Sequence, residues 1–186
     1  MFRPGMQPVT FVAKDGGQFE IERITAVSGD ELAFATHLTV HHELVSHPRG
    51  AWVLRGVTSH VRYVDRAEKT ALDAESPPLA RPEATCAVLI PIRKSTEWWA
   101  LPQDERRAIF EERSRHIADS MKYLPRIARR LYQSRELGEH FDFLTWFEFA
   151  PEHAPAFDEL LGMLRSREEW TFVEREVEIR LLRRDV

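Results

Sequence analysis

The chain has 186 residues, 43% of them apolar and 30% charged, with a formal net charge of −4. That length suits one large domain, or two small halves sharing a core, and it is enough to bury a flat cofactor. The balance argues against a nucleic-acid partner, since no long basic stripe is present, and no apolar run approaches the roughly 18 residues of a membrane span. The single cysteine, Cys86, cannot form an internal disulfide. It sits in the apolar run Cys86-Ala87-Val88-Leu89-Ile90, which predicts an inert buried thiol. Residues 1–17 lack a charged start followed by an apolar stretch, so the expected location is the cytoplasm.

Residues 10–13 and 19–24 read as short strands around Asp15-Gly16-Gly17, a turn signal that predicts a β-hairpin. Residues 30–43 have mixed periodicity and carry no assignment. Residues 50–63 predict a strand, with Trp52, Leu54 and Val57 flanked by polar residues. Asp65 is placed to cap a helix reaching about residue 72. Three prolines in Ser76-Pro77-Pro78-Leu79-Ala80-Arg81-Pro82 forbid regular structure and mark a linker. It divides an N-terminal half, residues 1–80, from a C-terminal half, residues 81–186.

Beyond the linker the pattern sharpens. Residues 85–92 form a near-continuous apolar run, hence a strand buried on both faces. Pro102 opens a long helix to about residue 120, and Pro125 bars its continuation. Ile127, Arg129 and Leu131 alternate with Ala128, Arg130 and Tyr132, which is strand spacing. After a turn at Gly138, residues 141–149 predict a strand, 151–164 an amphipathic helix and 172–182 a final strand. The order β-α-β-β-α-β is the ferredoxin-like unit. The predicted fold class is α+β: two ferredoxin-like halves with packed antiparallel sheets, of the dimeric α+β barrel type, the N-terminal half shortened. Such an architecture says nothing by itself about chemistry.

There is no Gly-rich phosphate loop, no Cys/His zinc spacing and no Gly-x-Ser-x-Gly elbow. His37 and the pair His41-His42 look superficially like metal ligands. Adjacent side chains in an extended segment point apart, and no carboxylate pattern accompanies them, so surface roles are expected. His116 lies towards the end of the long predicted helix, in Arg113-Ser114-Arg115-His116-Ile117. Taken singly, it reads as a structural histidine. Arg129 reads as one of a solvated run with Arg126, Arg130 and Arg135, Glu169 as part of an exposed turn, and Lys94 as solvent-facing. The pairs Trp98-Trp99 and Trp146-Phe147 suit either a packed core or the lining of a large cavity.

In combination these segments resemble the chlorite dismutase family. The resemblance covers about residues 84–183. It runs through Ile90-Pro91-Ile92-Arg93-Lys94-Ser95, Trp98-Trp99-Ala100-Leu101, Asp104-Glu105-Arg106-Arg107, His116 and Lys122-Tyr123-Leu124. It continues with Arg129-Arg130-Leu131-Tyr132, Phe141-Asp142-Phe143, Phe147-Glu148 and Leu164-Arg165-Ser166-Arg167-Glu168-Glu169. No single piece is specific; their order and spacing carry the likeness. The short N-terminal half is similar to compact members, which form dimers, so a homodimer is expected.

The resemblance implies haem b in the C-terminal half, between helices and a sheet. His116 matches the axial ligand of the iron, and Glu169 the carboxylate on that histidine's other nitrogen. Lys94 matches the basic residue near this carboxylate and the haem propionates. Trp98 matches the aromatic beside the porphyrin, with Trp99 close to it, and Arg129 the arginine on the distal face. One imidazole leaves the sixth iron position open, and a carboxylate behind it strengthens its donation. The implied reaction turns chlorite into chloride and dioxygen through hypochlorite and a ferryl intermediate, with Arg129 orienting the anion and retaining hypochlorite. Some compact members pair the distal arginine with a glutamine. None lies between Gln18 and Gln103, which leaves Glu75 or Ser76 for that place. The alternatives on the same fold are a coproheme decarboxylase-like or peroxidase-like enzyme, for which Tyr63, Tyr123 and Tyr132 are the tyrosines of interest, and a non-catalytic haem carrier. A haem-free barrel with a small-molecule pocket is the plainest alternative.

Overall fold

Alternate residues of Pro8–Lys14 (β1) point to opposite faces, and Val9, Phe11 and Ala13 bury one of those faces completely. The other strands are Phe19–Ser28 (β2), His37–His41 (β3), Trp52–Thr58 (β4), Cys86–Lys94 (β5), Ala128–Gln133 (β6), Phe143–Phe149 (β7) and Val173–Arg183 (β8). In this computed structural model, which describes residues 6–58 and 65–184, the described strands close into one barrel. Their order is β1-β3-β2-β8-β5-β7-β6-β4, and every pairing is antiparallel. Each described strand thus has a hydrogen-bonded neighbour on either side. The inward faces share one core, in which Phe11, Leu89, Leu144, Trp146 and Ile179 meet.

On either side of the proline linker the strand order repeats. The N-terminal half runs β4-β1-β3-β2 and the C-terminal half β8-β5-β7-β6, each the ferredoxin-like sheet order. The N-terminal half is short because both of its crossovers lack helices. β2 does not return alongside β1 but runs on past the end of β3. Phe19 pairs with Leu38 and Glu20 with His37, and the Ile21 N–H then donates to the Thr36 carbonyl. The connecting chain crosses β3 so closely at Gly17 that a Cβ there would lie 2.7 Å from Thr39 Oγ1 and 3.0 Å from the Leu38 carbonyl oxygen. Asp15-Gly16-Gly17 therefore marks a crossing and not the predicted hairpin. The strand that separates β1 from β2 lay hidden in the unassigned stretch 30–43, because His37–His41 is short and rich in histidine.

The C-terminal half keeps its crossovers. From β5 the chain enters Thr96–Ala100 (α2), Gln103–Arg107 (α3), a π-helical stretch at Ala108–Arg113 and His116–Ser120 (α4). The single helix expected from Pro102 to about residue 120 is thus broken. Ser114 N–H bonds back to the Ile109 carbonyl at 3.1 Å, and Arg115 takes a left-handed conformation, φ 52 and ψ 37. The second crossover is Ala154–Arg165 (α5).

The helix expected after Asp65 spans Arg66–Glu75 and precedes the others in the chain (α1). Asp65 and Glu68 form a reciprocal capping box, each side chain accepting from the other's backbone N–H. Leu72 of α1 packs on Ile117 and Leu124. The strand expected over residues 50–63 is described only to Thr58; residues 59–64 lie outside the described residues. Cys86 is half-buried at the start of β5, and burial raises its thiol pKa, which keeps it protonated and unreactive. Among the described residues, no helix is long and apolar enough to cross a membrane.

Candidate active site

The outward face of β5, β7 and β6 and the inner faces of the helices build a second apolar layer, with Val88, Ile90, Phe147, Phe157 and Leu161 at its heart. Between sheet and helices this layer opens into a cavity of about 130 Å³ that is part-open to solvent. The walls are mainly apolar. The ionisable side chains that reach the space are Lys94, His116, Tyr123, Arg129 and Glu169.

The break at Arg115 makes His116 the first residue of its own short helix and turns its ring into the cavity. His116 Nδ1 lies 2.7 Å from Glu169 Oε2. Lys94 Nζ donates to Glu169 Oε1 at 2.8 Å and also reaches the Glu169 carbonyl at 3.3 Å. The Lys94 and Glu169 side chains are only 4% and 6% exposed. Burial is the strongest single influence on Glu169 and opposes ionisation. Attraction to His116 and Lys94, with hydrogen bonds from both, outweighs it and holds the carboxyl at about 2 in place of 4.5. An ionised carboxylate only accepts. Nδ1 therefore carries the hydrogen, and in the neutral ring Nε2 keeps its lone pair on the cavity side.

Other side chains hold this trio. Phe110 stacks on the His116 ring at 4.4 Å and 21°, and Trp170 lies near-parallel to it at 6.3 Å. Trp170 Nε1 donates to Glu176, a fully buried carboxylate that also takes Arg165. The Lys94 backbone N–H donates to Asp142 Oδ2 at 2.7 Å. Sequence reasoning missed Phe110, Trp170, Glu176 and Asp142. Trp170 directly follows Glu169, and that adjacency was the one signal available for it.

Trp98 is buried against the cavity, with Lys94 Nζ 4.6 Å from its ring centroid. Trp99 does not line the cavity, contrary to expectation. It stacks on Phe143, bonds Asp142 through Nε1 and carries Arg135 over its ring at 4.1 Å. Consecutive helical residues point about 100° apart, so the two tryptophans face different surroundings.

Arg129 stands on the sheet wall, opposite the helix that bears His116. Strand alternation sends Arg129 and Leu131 into the cavity and Tyr132 into the barrel core. Among the described residues, no hydrogen-bond or ion-pair partner meets the Arg129 guanidinium, and burial alone lowers its pKa. Neither substitute for a glutamine fills that role: Glu75 is exposed, and the Ser76 N–H closes α1 on the Leu72 carbonyl. A guanidinium stays protonated in proteins, and Arg129 is half-buried against apolar walls with no described partner. An anion would complete the arrangement.

Of the tyrosines, Tyr132 faces the barrel interior, and the Tyr123 hydroxyl is committed to Glu159 at 2.6 Å. Tyr63 lies outside the described residues. Among the described residues, no three His, Cys, Asp or Glu side chains gather to hold a bare metal ion. A metal at His116 must therefore bring its other ligands with it. One available imidazole nitrogen, a mainly apolar cavity and, among the described residues, a cation without a partner on the sheet wall fit an iron porphyrin and a small anion.

Comparison with known proteins bears on the same region. The family model described as chlorite dismutase matches residues 24–184. A chlorite dismutase of Ideonella dechloratans is 28% identical over 97 residues, a stretch that is 51% of this chain and only 33% of that protein. Among solved structures, a dimeric chlorite dismutase from Nitrobacter winogradskyi is 56% identical, with 95% of this chain and 99% of that one covered and a TM-score of 0.90. A variant chlorite dismutase from Candidatus Nitrospira defluvii, 21% identical over 98% of this chain and 93% of that one, has a TM-score of 0.67 and shares the fold. The family match begins within β2 and takes in every wall of the cavity; the chain belongs to the chlorite dismutase family.

Proposed function

We propose that this protein decomposes chlorite to chloride and dioxygen, using haem b held in the C-terminal cavity. One observation carries the reading. Lining a single apolar space are an imidazole backed by an ionised carboxylate and a guanidinium that, among the described residues, has no carboxylate partner. His116 would bind the iron through Nε2 as its one protein ligand, with Trp98 and Lys94 on the same side. Haem held there by His116 would supply the redox chemistry of an iron atom that chlorite can reach.

The protein's own groups do the rest. Glu169 holds the hydrogen on Nδ1 and so fixes the tautomer that leaves Nε2 free to donate. Lys94 balances the buried Glu169 charge. Arg129 attracts chlorite and keeps hypochlorite close until the two oxygen atoms recombine. Apolar walls exclude water, which strengthens the hold of one guanidinium on a small anion. The net change, chlorite to chloride plus dioxygen, consumes neither protons nor external electrons. The cavity suits such a reaction, since Glu169, the only carboxylate among the described residues that line it, is engaged by His116 and Lys94.

A homodimer belongs to this reading, supported by the dimeric relative from Nitrobacter winogradskyi. A cytoplasmic setting belongs to it on the sequence alone. Chlorite added to haem-loaded protein in an oxygen electrode tests the reaction. The expected result is a dioxygen for each chlorite consumed. Peroxide-dependent dye oxidation with no oxygen release would overturn the reading in favour of a peroxidase.

A further inference from the structure

His116 opens a helix of five residues, and so short a helix has little stability of its own. The ring can be aimed only if the turn that carries it is held. The chain leading into that turn is irregular twice over, through the π-helical stretch Ala108–Arg113 and the left-handed Arg115. Residues with a Cβ seldom take that conformation, and it persists where surrounding contacts over-determine it.

Glu111 supplies such contacts. Its carboxylate reaches forward past the break and accepts from two successive backbone amides, Ile117 N–H at 2.7 Å and Ala118 N–H at 3.1 Å. Those amides belong to the unsatisfied donors that every helix start presents. The Glu111 carbonyl also accepts from the Arg115 N–H at 2.9 Å. The preceding residue, Phe110, stacks on the His116 ring. Two neighbours in one π-helical turn thus hold the ring and the backbone from which it hangs.

We propose that Glu111 is a positioning residue for His116: its carboxylate clamps the start of α4 and so sets the direction of Nε2 into the cavity. The clamp complements the Glu169 bond. Glu169 restrains rotation of the ring, whereas Glu111 restrains the backbone beneath it. The remaining side-chain ties on α4 act elsewhere. Asp119 pairs with Arg115 and Arg167, and Ser120 Oγ bonds the His116 carbonyl. None of them satisfies the Ile117 and Ala118 amides.

The proposal rests on His116 as the iron ligand, and its test separates the two claims. Glu111→Ala removes both acceptor atoms; Glu111→Gln keeps the side-chain length and one acceptor. In cofactor-free protein, hydrogen exchange at the Ile117 and Ala118 amides is expected to rise about tenfold in Glu111→Ala, with strand β5 unchanged. With haem bound, the ferric electron paramagnetic resonance signal should pass from one set of g-values to several. Haem should leave about 10- to 100-fold faster. Glu111→Gln should fall between the two on all three readouts, and it decides the matter if the alanine variant does not fold. Unchanged exchange in the folded variants overturns the clamp. Faster exchange with an unchanged ferric signal overturns its positioning role. Wild-type protein that takes up no haem would overturn the reading of the site instead, while the exchange rates would still judge the clamp.

Discussion

Arg129 carries a charge that no described residue neutralises. The consequence is testable in two states of the protein. In the cofactor-free protein, Arg129→Ala removes an unpaired cation from an apolar wall, so thermal stability should hold or rise. Loss of one partner from a buried ion pair would instead cost about 3–5 kcal/mol. In the haem-loaded protein, the variant should retain haem yet bleach faster during chlorite turnover, as hypochlorite escapes. Thermal melts and the decay of the Soret band check both halves, and equal bleaching in the two proteins would contradict the retaining role. At this scale the sequence was least legible. His116 and Glu169 lie 53 residues apart, and Lys94 and Glu169 lie 75 apart, so no local pattern links them. Each read as ordinary until a family resemblance set them side by side. Glu111 is only six residues from its partner Ile117, but a plain helix over residues 102–120 conceals a side chain that caps a later turn.

The elements were legible where periodicity is strong and illegible where the chain breaks without its usual markers. β5, β7, β8 and α5 follow the expected pattern closely. The break before His116 falls at Arg113-Ser114-Arg115, with no Gly or Pro to announce it. Helix α1 was placed by its cap, and its tie to α3 invites a pH experiment. Glu68 takes a two-pronged bond from Arg107, both contacts at 2.8 Å. Those hydrogen bonds, against partial burial, hold the Glu68 carboxyl below its usual range. A depressed carboxylate stabilises the fold above its unfolded value, near 4.3, and that contribution is lost as pH falls through the lower folded value. Glu68→Gln should therefore be less stable than wild type by roughly 1 kcal/mol or less at pH 7. The gap should close as pH falls below about 4. Urea midpoints for both proteins across that window check the sign, and a gap independent of pH would contradict it.

The whole molecule is one barrel made of two repeated sheets. Its seams join β2 to β8 along most of their length and β4 to β6 through Val57 with Gln133 and Thr58 with Tyr132. Residues of both halves, Phe11 and Leu38 with Leu89 and Ile179, share a single interior. The division at residues 80 and 81 is therefore proposed as a boundary of repeats and not of folding units. Urea unfolding followed by tryptophan fluorescence and by far-ultraviolet circular dichroism should give one coincident transition; two separated transitions would contradict a shared core. The α+β class and the order of the C-terminal elements were readable from apolar periodicity. Barrel closure was not, because its seams pair segments from distant parts of the chain. The N-terminal half was expected as a shortened ferredoxin-like repeat, but its strands could not all be placed, because the loss of both crossover helices removed the rhythm that would separate them.

All of this converges on one cavity and one imidazole nitrogen. The direct test is a haem titration followed at the Soret band, with wild type and His116→Ala in parallel. The wild-type protein should saturate at one haem per chain, and His116→Ala should lose its haem readily on passage through a desalting column. Equal haem retention by the two proteins, or no Soret band in the wild type, would contradict the assignment.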